Sequence, residues 1–240
     1  MRGVPTFDSV EGANAVTNRR TFLFRGAAAA LGLAGATWTE AAWSDTATPR
    51  TPADSLQRLM DGNKRFVDQR LQSPGDNLGA LRQSTAHKQE PFAAVLACSD
   101  SRVPVELIFD QSIGRIFTAR VAGNMISGEI IASLEYAVAH LATPLIMIMG
   151  HADCGAVKAA MSGEAAPGEI TTLYRYLQPS IDQAGTDQDA VIKANARYQA
   201  RILSESSPVV AEHIKDGTLR VVASHYDVAT GAVTVLEGAS

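Results

Sequence analysis

The stretch Phe92-Ala93-Ala94-Val95-Leu96-Ala97-Cys98-Ser99-Asp100-Ser101-Arg102 decides how the chain is read: an unbroken apolar run, then a thiol, a carboxylate and a guanidinium in quick succession. An uncharged run this short predicts a parallel strand buried on both faces. The pattern returns at Leu145 to Met149, which is followed by Gly150-His151-Ala152-Asp153-Cys154-Gly155. The chain has only two cysteines. Both therefore fall at the C-terminal ends of predicted strands, the edge of an open α/β sheet where ligands bind.

Two thiolates and an imidazole form a soft donor set that selects zinc over magnesium or calcium. With Asp100 they complete a tetrahedral shell. Arg102, two residues on, offers that carboxylate a competing bidentate partner. If Arg102 holds Asp100, the fourth position stays open to water, which a bound zinc acidifies. If Asp100 binds, the metal is saturated and inert. The competing reading makes Cys98 and Cys154 a disulfide or small buried hydrophobes, and His151 a core histidine. The glycines flanking the second element, Gly150 and Gly155, and the completeness of the set favour the metal.

These two segments resemble the signatures of the β-class carbonic anhydrases, Cys-x-Asp-x-Arg and His-x-x-Cys-Gly, and the similarity runs from about Ser55 to the C-terminus. The resemblance implies that Cys98, His151 and Cys154 bind one zinc ion. It implies that Asp100 and Arg102 act as a catalytic dyad, with Asp100 a ligand only in a closed form. The implied reaction is reversible hydration of carbon dioxide to bicarbonate by a metal-activated water. Gln89, Phe117 and Tyr136 match the substrate-pocket glutamine, phenylalanine and tyrosine of plant-like members, and the Gly155 N–H is a candidate donor to the substrate oxygen. Such a pocket is built at a subunit interface, so a homodimer or larger homo-oligomer is expected. Val95 stands where some bacterial members carry the tryptophan of a non-catalytic bicarbonate site, which argues for the open form. In the turn Arg120-Val121-Ala122-Gly123-Asn124, Val121 replaces a polar residue found in many members. Two alternatives use the same scaffold: hydrolysis of carbonyl sulfide or carbon disulfide, and a non-catalytic zinc or bicarbonate-binding protein.

The remainder of the chain is consistent with this. Its 240 residues are 46% apolar, enough to bury one sizeable core. A net charge of −4 with scattered basic residues excludes a nucleic-acid footprint. Residues 1–45 differ in kind: Asn18-Arg19-Arg20-Thr21-Phe22-Leu23 precedes an uncharged Ala/Gly/Leu stretch from Gly26 to Ala36. This resembles a twin-arginine export signal, implying a periplasmic or other extracytoplasmic destination. The stretch is too short for a stable membrane span. Residues 46–240 are then the catalytic domain.

Within it the expected class is α/β: one domain with a mostly parallel sheet of about five strands flanked by helices. Strands are expected at 92–97, 116–119, 145–149, 219–223 and 233–236, the last antiparallel at an edge. Helices are expected at 105–109, 128–141, 154–161, 169–183 and 187–206. Leu56, Leu59, Met60 and Phe66, after Pro52, predict an N-terminal helix whose apolar stripe lies on a partner subunit. His225, following a strand near the ligand edge, is a candidate proton shuttle.

Overall fold

The computed structural model describes Thr48, residues 51–73 and residues 77–237. The twin-arginine motif and the apolar stretch after it lie outside the described residues.

The two apolar runs become the centre of a five-stranded sheet. β1 (Ala93–Ala97) and β3 (Leu145–His151) are buried at every position. Period-two alternation divides β1 between two cores. Ala94 and Leu96 pack with Leu134, Ala196, Ala200 and Leu203 on one face, whereas Ala93, Val95 and Ala97 pack with Leu59, Val105, Ile108 and Phe109 on the other. An uninterrupted apolar sequence is what a strand with two covered faces requires.

The strand order is β2-β1-β3-β4-β5. β2 (Ile116–Arg120), β1, β3 and β4 (Arg220–Tyr226) are parallel, and β5 (Val233–Leu236) runs antiparallel to β4 at the edge. The chain leaves β1 for β2 on one side and returns for β3 on the other. The crevice between the C-terminal ends of β1 and β3 is therefore the topological switch point, the place where open α/β sheets bind ligands.

The covering helices follow capping signals in the sequence. α1 (Pro52–Val67) starts with Pro52 in its first turn and with the Thr51 side chain accepting from the Asp54 N–H. Its stripe does not wait for a partner: Leu59 is fully buried in this chain's own core, with Leu56, Met60 and Phe66 packed around it. The expectation that the stripe lies on another subunit is thus corrected, because Leu59 joins Val105, Ile108 and Phe109 in covering this chain's own sheet. Asn63 fixes the helix further by donating to the Ile108 and Gly231 carbonyls and accepting from the Val233 N–H.

α2 (Leu78–Thr85) buries none of its residues and was not expected. α3 (Val105–Ile108) and α4 (Gly128–Ala139) lie where predicted. α5 (Gly155–Ser162) begins directly after Cys154. The segment expected as one helix from 169 opens with a 3-10 turn, Ile170–Leu173, and continues as α6 (Tyr174–Ala184). α7 (Gln188–Ser206) is capped by Asp187, and the unforeseen α8 (Pro208–Lys215) by Ser207. None of the helices among the described residues is long and apolar enough to cross a membrane.

Candidate metal centre

The end of β1 delivers Cys98, the last residue of β3 is His151, and Cys154 is the N-cap of α5. Their donor atoms lie within 4.8 Å of one another and all three residues are buried. The two sulfurs are 3.9 Å apart and both thiols are free. That spacing rules out the disulfide reading, since a disulfide needs about 2.05 Å. It matches the roughly 3.8 Å between two sulfurs that each sit about 2.3 Å from one tetrahedral zinc.

The histidine is poised in the same way. Its Nδ1 lies 2.9 Å from the Ala152 carbonyl oxygen, which only accepts, so Nδ1 carries the proton and donates. Nε2 is left with a lone pair, buried and without a hydrogen-bond partner. A cation satisfies such an atom, and a backbone carbonyl on the other ring nitrogen is the usual orienting partner of a metal-bound histidine.

The two thiols perturb each other strongly. The neighbouring Cys154 thiol, with smaller help from His151 and the Gly123 N–H, lowers Cys98 to about 4 against the opposing effect of burial. Cys154 is driven the other way, first by Cys98 and then by burial. Sharing one buried space, the pair favours a single thiolate, and the second ionisation is opposed by the first.

Asp100 points away from the ligand role. Arg102 donates from Nε to Oδ1 at 3.0 Å and from Nη2 to Oδ2 at 2.8 Å, and its backbone N–H adds a third bond to Oδ1 at 2.9 Å. Arg102 also donates to the Asp153 carbonyl at 3.0 Å, tying the dyad to the loop between β3 and α5. The guanidinium holds the Asp100 carboxyl well below the usual carboxylate range despite some burial. Its Oδ2 remains 3.9 Å from His151 Nε2, at the rim of the donor set.

Sequence reasoning missed several supports. Arg120 donates to the Cys98 and Asp100 carbonyls and so clamps the loop that carries both residues. Gln188 donates to the Cys154 carbonyl. The Gly123 N–H donates to Cys98 Sγ at 3.3 Å. Gly123 and Asn124 have φ of 75° and 43°, in the turn that the resemblance had marked at 120–124.

The expected pocket residues are elsewhere. Gln89 is exposed before the start of β1, at the opposite end of the strand from Cys98. Phe117 pairs with Ala94, which places it about 13 Å back along the strand direction from the thiol. Tyr136 stacks on Phe117 at 6.3 Å between ring centroids and on His140 at 5.1 Å. One chain therefore does not bring these three to its own thiols and imidazole. Gly155 is at the site, exposed as the first residue of α5. Val95 is wholly buried in the core. His225 is also buried, with Nε2 3.0 Å from an Asp189 carboxylate oxygen, and burial lowers its pKa. The candidate shuttle His225 is therefore a buried imidazole paired with a carboxylate.

Comparison with known proteins converges on one family. The carbonic anhydrase family model matches residues 93–233. A carbonic anhydrase of Mycolicibacterium smegmatis is 35% identical over 190 residues, covering 76% of this chain and 92% of that relative. Carbonic anhydrase 2 of Mycobacterium tuberculosis is 34% identical, covering 75% and 90%. Among solved structures, the β-carbonic anhydrase CafA of Aspergillus fumigatus superposes with a TM-score of 0.63 at 26% identity, over 77% of this chain and 91% of that one. A structure from a study of two tetrameric β-carbonic anhydrases of Sordaria macrospora gives 0.59 at 25% identity, over 67% and 91%. The thiol, imidazole and carboxylate geometry and these matches agree, and the chain belongs to the β-carbonic anhydrase family, enzymes that hydrate carbon dioxide.

Proposed function

We propose that Cys98, His151 and Cys154 hold one zinc ion and that Asp100, locked by Arg102, directs the hydration of carbon dioxide beside it. When bound, the metal supplies Lewis-acid activation of water, bringing its ionisation toward neutral pH.

The observation that carries this reading is the Asp100–Arg102 lock, which keeps the carboxylate off the three buried donors, so that a zinc held by them would have room for water. Oδ1 already accepts two bonds and Oδ2 accepts one, so the free lone pair of Oδ2 faces the donor set. A carboxylate held so firmly ionised is a poor proton store. It acts as a fixed acceptor that orients the nucleophile's hydrogen and thereby aims its lone pair at carbon. The Gly155 N–H, at the positive end of α5, is a donor for the substrate oxygen that gains charge.

The pocket is completed by a second copy. Gln89 and Tyr136 are exposed, Phe117 is half-buried, and exposed Leu107 and Ile113 flank the outer edge beside β2. A homo-oligomer that joins two such surfaces carries one chain's glutamine and aromatic pair to the other chain's metal ligands. Assembly is thus a condition of activity.

Two thiolates donate more charge than imidazoles and leave the cation less electrophilic, so activity is expected to rise between about pH 6.5 and about pH 9. Stopped-flow hydration across that range tests the reading, and a flat profile contradicts it.

We also infer export by the twin-arginine route, supported by Arg19-Arg20 before the uncharged stretch from Gly26 to Ala36. Replacing both arginines by lysine is expected to retain the protein inside the cell. Unchanged export of that variant overturns the inference.

A further inference from the structure

The turn that serves Cys98 is held by side chains of α7 that stand 72 and 73 residues further along the chain than the groups they bond. Ala122–Asn124 forms a 3-10 turn after β2, with Gly123 and Asn124 both at positive φ. Glycine and asparagine enter that region more readily than other residues, so the sequence permits the turn, and contacts from elsewhere fix where it sits. The restraint comes from α7. Asn195 Nδ2 donates to the Gly123 carbonyl at 2.9 Å. One helical turn on, Gln199 Nε2 donates to Asn195 Oδ1 and to the Tyr176 carbonyl, each at 3.0 Å. Gln199 Oε1 accepts from the Ile126 N–H at 2.8 Å.

The chemistry of the partners fixes both amides. The Gly123 carbonyl only accepts and the Ile126 N–H only donates, so neither side chain can be flipped without losing a bond. Asn195 is fully buried and Gln199 is 1% exposed. Their helical neighbours on the same buried side, Ala196, Ala200 and Leu203, are apolar and pack on the sheet. Ordinary packing needs no amide at 195 or 199, whereas gripping the turn at its carbonyl and at its exit N–H needs both.

We propose that Asn195 and Gln199 are positioning residues of the metal centre: by clamping the turn they hold the Gly123 N–H on the Cys98 sulfur and set how much charge that thiolate gives to the metal. The proposal rests on Cys98 being a metal ligand. An N–H aimed at a thiolate lowers the energy of its lone pairs, so losing that bond moves sulfur-to-metal charge transfer to lower energy.

The test uses the full chain loaded with cobalt(II), together with zinc affinity by chelator competition. Asn195→Leu is expected to shift the sulfur-to-cobalt charge-transfer band to longer wavelength and to raise the zinc dissociation constant roughly 10–100-fold, as loss of outer-shell partners does. Gln199→Met, which frees the Ile126 N–H and the Asn195 amide, should move the band the same way and serves where Asn195→Leu does not fold. Leu203→Ala is the control: it destabilises the same helix by opening a cavity away from the turn, and its band should stay at the wild-type wavelength. A band that stays in place in the amide variants, or moves equally in Leu203→Ala, overturns the proposal. Absence of any sulfur-to-cobalt band in the wild-type protein would instead refute Cys98 as a ligand, a different failure.

Discussion

Replacing Asp110 by Asn should destabilise the fold by about 3 kcal/mol at neutral pH, the low end of the cost of breaking a buried ion pair by removing one partner. Asp110 follows α3, is wholly buried and has a φ of 46°. Its carboxylate accepts from the Arg65 Nε, from the Gln72 N–H at 3.0 and 3.1 Å to its two oxygens, and from the Ser73 N–H at 2.8 Å. It thus ties the end of α1 and the segment after it to the element that follows the Cys98 loop. Asparagine keeps one acceptor and turns an NH2 group toward backbone donors. The low end of the range applies because Arg65 is 26% exposed and regains water.

The pH dependence follows from the same contacts. Burial raises the Asp110 pKa, but Arg65 and the Ser73 and Gln72 N–H groups outweigh it, and the net shift is downward. A carboxyl depressed in the folded state contributes stability that is complete above its unfolded value, about 3.9, and is lost as pH falls through the folded one. The gap between wild type and Asp110→Asn should therefore be widest at neutral pH and should narrow below about pH 3.9. Thermal unfolding should show a midpoint lower by about 6–12 °C near neutrality. Equal midpoints at neutral pH, or a gap that does not change on acidification, would refute the reasoning.

Two further outcomes concern the site. Arg102→Ala leaves all three proposed ligands in place, so zinc content should hold while hydration falls by about 10²-fold, as expected when an orienting group loses its fixed geometry; parallel metal analysis and stopped-flow assay check this, and loss of zinc in step with activity would show that Arg102 serves the metal instead. If Gln89 works in the partner's pocket, co-expressed Asp100→Asn and Gln89→Leu chains should form mixed oligomers in which some sites are wholly wild type. Those mixtures should be more active than either parent, and activity no greater than the parents' sum would place Gln89 in its own chain's site.

Much of this was legible before the structure because burial on both faces of a strand leaves a one-dimensional mark. Phe92 to Ala97 and Leu145 to Met149 are too short for buried helices and read as central strands, and the order β2-β1-β3 places the residues that follow both at the switch point. α2 was not legible, since Leu78 to Thr85 buries nothing and so carries no apolar period. α8 had a signal in Ser207-Pro208, an N-cap before a first-turn proline, which went unread behind the long helix preceding it. Asn195 and Gln199 could not be read at all. Their meaning comes from a turn 72 and 73 residues earlier, where Asn195 meets the Gly123 carbonyl and Gln199 the Ile126 N–H. Gln89, Phe117 and Tyr136 were recognised by resemblance alone, and a single chain displays them without their destination.

The central claim is a three-ligand metal held open by a locked carboxylate, and one paired measurement tests it: zinc content and carbon dioxide hydration at about pH 8.5 for wild type and Asp100→Asn. One zinc per chain in both proteins, with turnover reduced at least about 10²-fold in the variant, is the predicted result. Unchanged turnover in Asp100→Asn, or zinc lost along with the carboxylate, would contradict it.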